Sequence, residues 1–207
     1  MGLPDLSDIE ANGKLIVEGV GKESVAIYQF LVSEFAKGSV AENQVFQFMY
    51  RSFYRLDVAG LTPEFKSKYF WLLETSRNSK SVDIKQLTKV LYDLPNRKGQ
   101  KSLQFSFVTK LANTVQPAHT IYDAEVASVF GFRPPHNYKA FDVRLEEYLA
   151  FYVRLSDIYN EILKRDHLLA PRQMFREMYG VQQKSFPDIK VLDFIFWSAG
   201  KLSFKAK

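Results

Sequence analysis

The sequence predicts an all-α protein of about eight or nine helices. Apolar residues recur at helical spacing over most of the chain, helix start and stop signals are frequent, and we find no strand pair and no internal repeat. Because the helices are short and uneven, we expect a less regular arrangement than a simple bundle. We predict one all-helical unit over residues 1–207, with two lobes as the alternative and 131–137 as the break between them.

Four helices are predicted in the first half of the chain. Gly38 ends the first of them. Ser39 and Glu42 form a capping-box pattern, which predicts that the second helix begins at Ser39. Thr62 before Pro63 predicts another start, because a capping residue is followed by proline at the first helical position. The predicted ranges are 24–37, 39–56, 62–76 and 81–95.

The second half begins with a basic loop, Asn96–Lys101, and continues with five helices. Proline residues break the chain after Gly131, since proline cannot continue a helix and restricts the residue before it. From Lys139 onwards, apolar residues recur at helical spacing and predict one long helix. The tail from Gly200 is expected to fray. The predicted ranges are 102–115, 123–130, 139–165, 171–180 and a last helix that begins at 185–187.

The composition excludes several classes of protein. The chain has 207 residues, 46% of them hydrophobic and 15% aromatic, which is ample for a packed core. It has no cysteine, so disulfides and cysteine-ligated zinc or iron–sulfur sites are excluded. No apolar stretch reaches the roughly 18 residues of a membrane span, and the N-terminus is not a signal peptide. We therefore expect a cytoplasmic protein without a membrane partner.

The charge favours a polyanionic partner. The net charge is +5 at pH 7, and lysine and arginine side chains near phosphates release counterions on binding. Arg97, Lys98 and Lys101 fall in the basic loop, and with Lys139 they are the candidate phosphate contacts. An ordinary solvated loop is the alternative for these residues.

Residues 102–130 are the most informative part of the chain, SLQFSFVTKLANTVQPAHTIYDAEVASVF. They predict a helix that carries Lys110, a turn at Gln116-Pro117, an extended stretch 120–122 and a new helix that opens at Asp123. A lysine within a helix and an aspartate at a helix N-terminus are thus joined by a tight connection.

That arrangement resembles the second half of the helix-hairpin-helix DNA glycosylase fold, the superfamily of 8-oxoguanine glycosylase and endonuclease III. Residues 109–113 are similar to its lysine-bearing helix, and 120–126 to its extended segment, aspartate and following helix. The resemblance implies that the Lys110 amine attacks C1′ of a damaged nucleotide and that Asp123 orients the nucleophile or stabilises the growing positive charge. The family's Gly-rich hairpin is absent, because residues 103–107 contain no glycine, and the connection from Lys110 to Asp123 is shorter.

The resemblance implies a protein that binds duplex DNA and removes a modified base, with AP-lyase activity if Lys110 is desolvated. The base is oxidised, alkylated or hypermodified, so the role is base-excision DNA repair or phage defence. His119 and Tyr122 are the candidate pocket residues. No phosphate loop, dinucleotide fingerprint or metal-ligand spacing is present, so no cofactor and no metal are predicted.

Plainer interpretations remain open for each residue. Asp123 is a good N-cap without any catalysis, Lys110 has the alternative of a solvated surface lysine, and His119 that of an ordinary loop histidine. Aromatic residues at helical spacing, and both tryptophans, are expected in the core. A non-catalytic DNA-binding module on the same scaffold and a helical protein-interaction domain are the rival functions.

Overall fold

The computed structural model describes residues 2–79 and 81–206. Within them the protein is all-α, with eleven helices and no strand, so the all-α class is confirmed and the helix count exceeds the predicted eight or nine. The helices are α1 (Ser7–Ala11), α2 (Gly13–Glu18), α3 (Lys22–Lys37), α4 (Gln44–Tyr54), α5 (Pro63–Thr75), α6 (Ile84–Tyr92), α7 (Phe105–Val115), α8 (Ala124–Val129), α9 (Phe141–Lys164), α10 (Leu169–Tyr179) and α11 (Asp188–Lys201). The short helices α1 and α2 lie outside the predicted set and raise the count.

The chain forms two compact units. The first consists of the residues up to Val25 together with those from Pro117 onwards, and the second is Ala26–Gln116. Residues 131–137, where the sequence predicts a break, lie inside the first unit between α8 and α9.

The first unit is organised by α11, which packs against α8, α10, α2 and α9. Its contact with α8 is backbone to backbone, because a Cβ added at Gly200 would lie 2.6 Å from the carbonyl carbon of Glu125. On α2, the carbonyl of Ile16 accepts a hydrogen bond from Ser198 Oγ at 2.6 Å. Helix α11 therefore fixes where α8 begins.

The second unit has an aromatic core formed by α4, α5 and α7. The hydroxyls of Tyr50 and Tyr69 are 2.9 Å apart, and Tyr69 Oη donates to the carbonyl of Phe107 at 2.8 Å. Phe46 and Phe65 are fully buried around this pair. The tyrosines thus join three helices by hydrogen bonds inside an apolar core, where burial raises the pKa of both hydroxyls.

Two helix starts in the second unit test the capping predictions. The start at Thr62 is confirmed, since Thr62 Oγ1 accepts the Phe65 N–H at 3.1 Å and Pro63 is the first helical residue. The capping box at Ser39 is wrong. Helix α4 begins at Gln44, and Asn43 Oδ1 caps it by accepting the Phe46 N–H at 2.9 Å.

The reason for the later start is a competing contact of the preceding segment. Glu74 Oε2 accepts the Val40 N–H at 2.8 Å, and this bond holds the backbone after Ser39 outside the helix. The start predicted at Ser81 is also displaced, because Asp83 caps α6 by accepting the Gln86 N–H at 2.8 Å.

Two smaller predictions are wrong as well. Trp71, expected in the core, is 52% exposed, and Lys68 Nζ lies 3.7 Å from the centroid of its ring. The tail expected to fray is held by its backbone, because the N–H of Ala206 donates to the carbonyl of Val129 at 2.9 Å.

Candidate functional site

The extended segment 119–123 of the first unit leads into α8 and is held from two sides. From α11, Asp193 Oδ1 accepts the Ile121 N–H at 3.3 Å. From α9, Tyr152 Oη donates to the carbonyl of Thr120 at 3.2 Å, and Ser156 Oγ lies 3.0 Å from Thr120 Oγ1. Side chains rather than a sheet partner therefore satisfy this backbone. Residues 120–122, predicted to be extended, lie outside any helix.

Asp123 ends the segment and caps α8. Its φ and ψ are −135° and 151°, and its Oδ1 accepts the Glu125 N–H at 3.1 Å. The predicted helix start at Asp123 is confirmed, and so is the capping contact that the plainer interpretation required. Capping by Asp123 is therefore established by its geometry alone, without any catalysis.

A buried charge pair on α11 lies next to this segment and is not among the residues predicted from the sequence. Lys190 Nζ and Asp193 Oδ2 are 3.8 Å apart, with both side chains about 5% exposed. The signal that could have found it is two charged residues in the otherwise apolar run from Ile189 to Trp197. Charged side chains in such a run are rarely buried without a partner.

The electrostatics of Asp193 differ from those of a surface carboxylate. Burial raises its pKa to about 6. Lys190, the Ile121 N–H and the Tyr159 hydroxyl act against that rise, whereas the charge of Asp123 adds to it. In the described part of the chain, Asp193 Oδ2 and Tyr159 Oη are buried without a hydrogen bond of ordinary geometry. Asp193 is thus anionic at neutral pH but close to its titration range.

Tyr122 belongs to an aromatic cluster directly before Asp123. Its ring is 5.1 Å from that of Tyr148 at an angle of 86°, and Phe132 and Phe151 stack on each other at 4.1 Å. Burial raises the pKa of the Tyr122 hydroxyl. The cluster joins the extended segment to α9 and to the loop after α8, and it makes Tyr122 a packed residue with its polar end near Tyr148.

His119 stands at the start of the same segment and is half-buried. Its Nδ1 lies 3.2 Å from Tyr152 Oη, the hydroxyl that also donates to Thr120. Burial lowers the pKa of His119, so the ring is neutral at pH 7. Three of the predicted site residues, His119, Tyr122 and Asp123, therefore lie on one short segment of the first unit.

Lys110 lies on α7 in the second unit and is only 8% exposed. Its Nζ is 5.6 Å from the ring centroid of Tyr54 and 5.4 Å from that of Phe107. The alternative of a solvated surface lysine is therefore wrong. Aromatic faces at such distances attract a cation.

The candidate phosphate contacts are mostly engaged within the protein. Arg97 Nε donates to the carbonyl of Leu61 at 3.2 Å, and Lys101 Nζ pairs with Asp93 at 2.8 Å. In the first unit, Lys139 Nζ pairs with Glu147 at 2.6 Å. Lys98 is exposed in a tight turn of the connection between α6 and α7. Asn96 Oδ1 accepts the N–H groups of residues 98 and 100 there, and Gly99 has a φ of 73°.

No family model, curated protein or solved structure matches the chain. The glycosylase resemblance therefore rests on residues 102–130 of the sequence. Over residues 2–79 and 81–206, no three His, Asp or Glu side chains are placed to hold a metal ion. In the same residues, every helix is too short or too polar to cross a bilayer.

Proposed function

We propose that the protein is a DNA glycosylase that removes a modified base from duplex DNA, with AP-lyase activity supplied by Lys110. The observation that carries the proposal is the burial of Lys110, at 8% exposure, in a segment whose sequence resembles the lysine-bearing helix of glycosylases. Lysine is among the residues least often buried, so a buried lysine is a candidate for chemistry.

The role of Lys110 is nucleophilic. An amine attacks C1′ only when it has lost its proton, so the proposed reaction requires the neutral form of Lys110. Attack forms a bond from Nζ to C1′, and the N-glycosidic bond breaks as the base leaves with the bonding electrons and a proton. Opening of the sugar then gives a Schiff base, from which strand scission follows by elimination.

The role of Asp123 is electrostatic. Positive charge grows on the sugar as the base departs, and a fixed anion lowers the energy of that transition state. Asp123 suits this role because its segment is anchored at Thr120 and Ile121 before the reaction begins. Little reorganisation is then needed at the moment of bond cleavage.

The experiment is strand scission on a panel of labelled duplexes, each with one oxidised, alkylated or hypermodified base, with and without hot alkali. Lys110→Gln is expected to abolish borohydride trapping, and Asp123→Asn to lower base release about 100-fold or more. Lys89→Gln, an exposed lysine on the neighbouring helix α6, is the matched control and should trap like the wild type. Trapping that survives in Lys110→Gln would refute the lyase assignment.

A non-catalytic DNA-binding protein is the second candidate, favoured by the absence of glycine from residues 103–107. Those glycines let backbone amides approach a phosphate in the family. This candidate predicts DNA affinity that survives both substitutions without any base release. Either DNA-binding function requires log K to fall linearly with log salt. A protein-interaction domain predicts no salt-dependent retention on DNA.

A further inference from the structure

We propose that Asp193 is a positioning residue for Asp123: it anchors the segment that delivers Asp123 and adds a second negative charge beside it. The inference rests on the proposed function, in which Asp123 stabilises positive charge on the sugar. The two parts of the role are separable, because an amide can replace the anchor but not the charge.

The anchoring part is a single hydrogen bond from Asp193 to the backbone just before Asp123. Asp193 Oδ1 accepts the N–H of Ile121, two residues before Asp123, at 3.3 Å. Asp193 itself is held by α11, which also meets α8 at the close contact between Gly200 and Glu125. One helix thus fixes both the approach to Asp123 and the helix that follows it.

The charge part concerns the titratable groups that act on Asp193 within the described part of the chain. Lys190 lies on its own helix, 3.8 Å from Oδ2. Tyr159 and Tyr152 face it from α9, where the Asp193 charge helps to raise the pKa of both hydroxyls. Asp123 acts from the extended segment and raises the pKa of Asp193. The charges of Asp123 and Asp193 therefore repel each other, and Lys190 offsets the charge of Asp193.

An asparagine could provide the anchor, because a neutral amide also accepts the Ile121 N–H, but it would not balance the charge of Lys190. What the carboxylate adds is negative charge near Asp123. In the proposed reaction that charge supports a positively charged sugar, since buried surroundings screen a charge less than water does.

The first experiment needs no activity. The Asp193 carboxyl carbon is titrated by NMR in the wild type and in Asp123→Asn, with Asp193→Asn used to assign the signal. We expect a midpoint near 6 in the wild type and a lower midpoint in Asp123→Asn, because the repelling charge is gone. An unchanged midpoint would overturn the proposal.

The second experiment is the pH profile of base release by Asp193→Asn and Asp193→Leu. In the wild type the rate should rise as Asp193 ionises. Asp193→Asn should lose that rise and be about tenfold slower at pH 8, the change that one pKa unit of interaction represents. Asp193→Leu should be slower still, since it also loses the anchor. A wild-type profile in Asp193→Asn would overturn the role of the charge.

The matched control is Ser198→Ala, which removes another buried hydrogen bond of α11, to Ile16, away from the extended segment. Ser198→Ala should keep the wild-type pH profile. If Asp193 were only structural, Asp193→Asn would resemble this control: any loss of rate would be the same at every pH. If no substrate is cleaved but the titration shows coupling, the proposed function fails and the coupling of the two carboxylates stands.

Discussion

Replacement of Gly200 by alanine tests whether the contact between α8 and α11 holds the first unit together. The added Cβ would meet the carbonyl oxygen of Glu125 at less than contact distance, with the carbonyl carbon at 2.6 Å and Cα at 2.9 Å. These are backbone atoms, which cannot rotate out of the way. Helix α8 must therefore move away from α11, and Asp123 at its start moves with it.

The magnitude follows from two opposing effects. Overpacking a tight contact costs about 1–3 kcal/mol, and the backbone partner places this case at the upper end. Alanine in place of glycine within a helix returns about 1 kcal/mol. The net loss is about 2 kcal/mol, which lowers the Tm of a protein of this size by about 4–8 °C.

The assay is thermal unfolding followed by circular dichroism, with Gly38→Ala as the control. Gly38 has no atom within 4 Å of an added Cβ, and its substitution should leave the Tm within about 1 °C of the wild type. If Gly200→Ala unfolds at the same temperature as this control, the close contact is not part of the folded protein, and the reasoning that ties Asp123 to α11 fails.

Three further predictions concern buried or capping groups. Lys190→Met and Asp193→Leu should each lower the free energy of chemical unfolding by about 3 kcal/mol. The double variant should lose less than the sum, because an apolar pair removes both buried charges. Additive losses would contradict a coupled pair. The pKa of Asp193 is raised from 3.8 to about 6, so the folded protein holds this proton more tightly than the unfolded chain does. The resulting contribution to the free energy of unfolding is present at low pH and is lost as pH rises through 6. That loss is on the order of 2 kcal/mol between pH 4 and 8, and Asp193→Asn should lack it in urea unfolding at the two pH values. Asn43→Ala should cost about 1 kcal/mol and Ser39→Ala less than half of that, since only Asn43 caps α4; equal losses would restore the capping box.

The parts of the fold that the sequence predicted are those encoded by neighbouring residues. Thr62 with Pro63, and Asp123 before α8, mark helix starts by contacts within three residues. Helices α1 and α2 lack such marks, because neither has a side-chain cap. At five and six residues they are too short to be stable alone, and they form because Ile9 and Ile16 are buried in the first unit.

Long-range contacts explain the predictions that failed. Val40 is kept out of α4 by Glu74, and Asp193 meets a segment 72 residues away in the chain, so local patterns carry no sign of either contact. Trp71 shows a different failure. Its neighbour Leu72 is buried, and one step of about 100° around the helix turns Trp71 to solvent. The hydrophobicity of Trp71 alone does not determine which face of the helix is buried.

Asp123→Asn separates the two interpretations of Asp123. If Asp123 only caps α8, asparagine should replace it without loss, because both residues are equally good N-caps. The substitution also removes the repulsion that raises the pKa of Asp193, so the variant should be at least as stable as the wild type. If asparagine caps α8 at least as well as aspartate, the stability of the fold does not explain why residue 123 carries a charge. Equal or higher stability in urea unfolding, together with loss of base release, would assign the charge to function. A clear loss of stability would instead show that the folded protein needs the carboxylate, and Asp123 would then be structural.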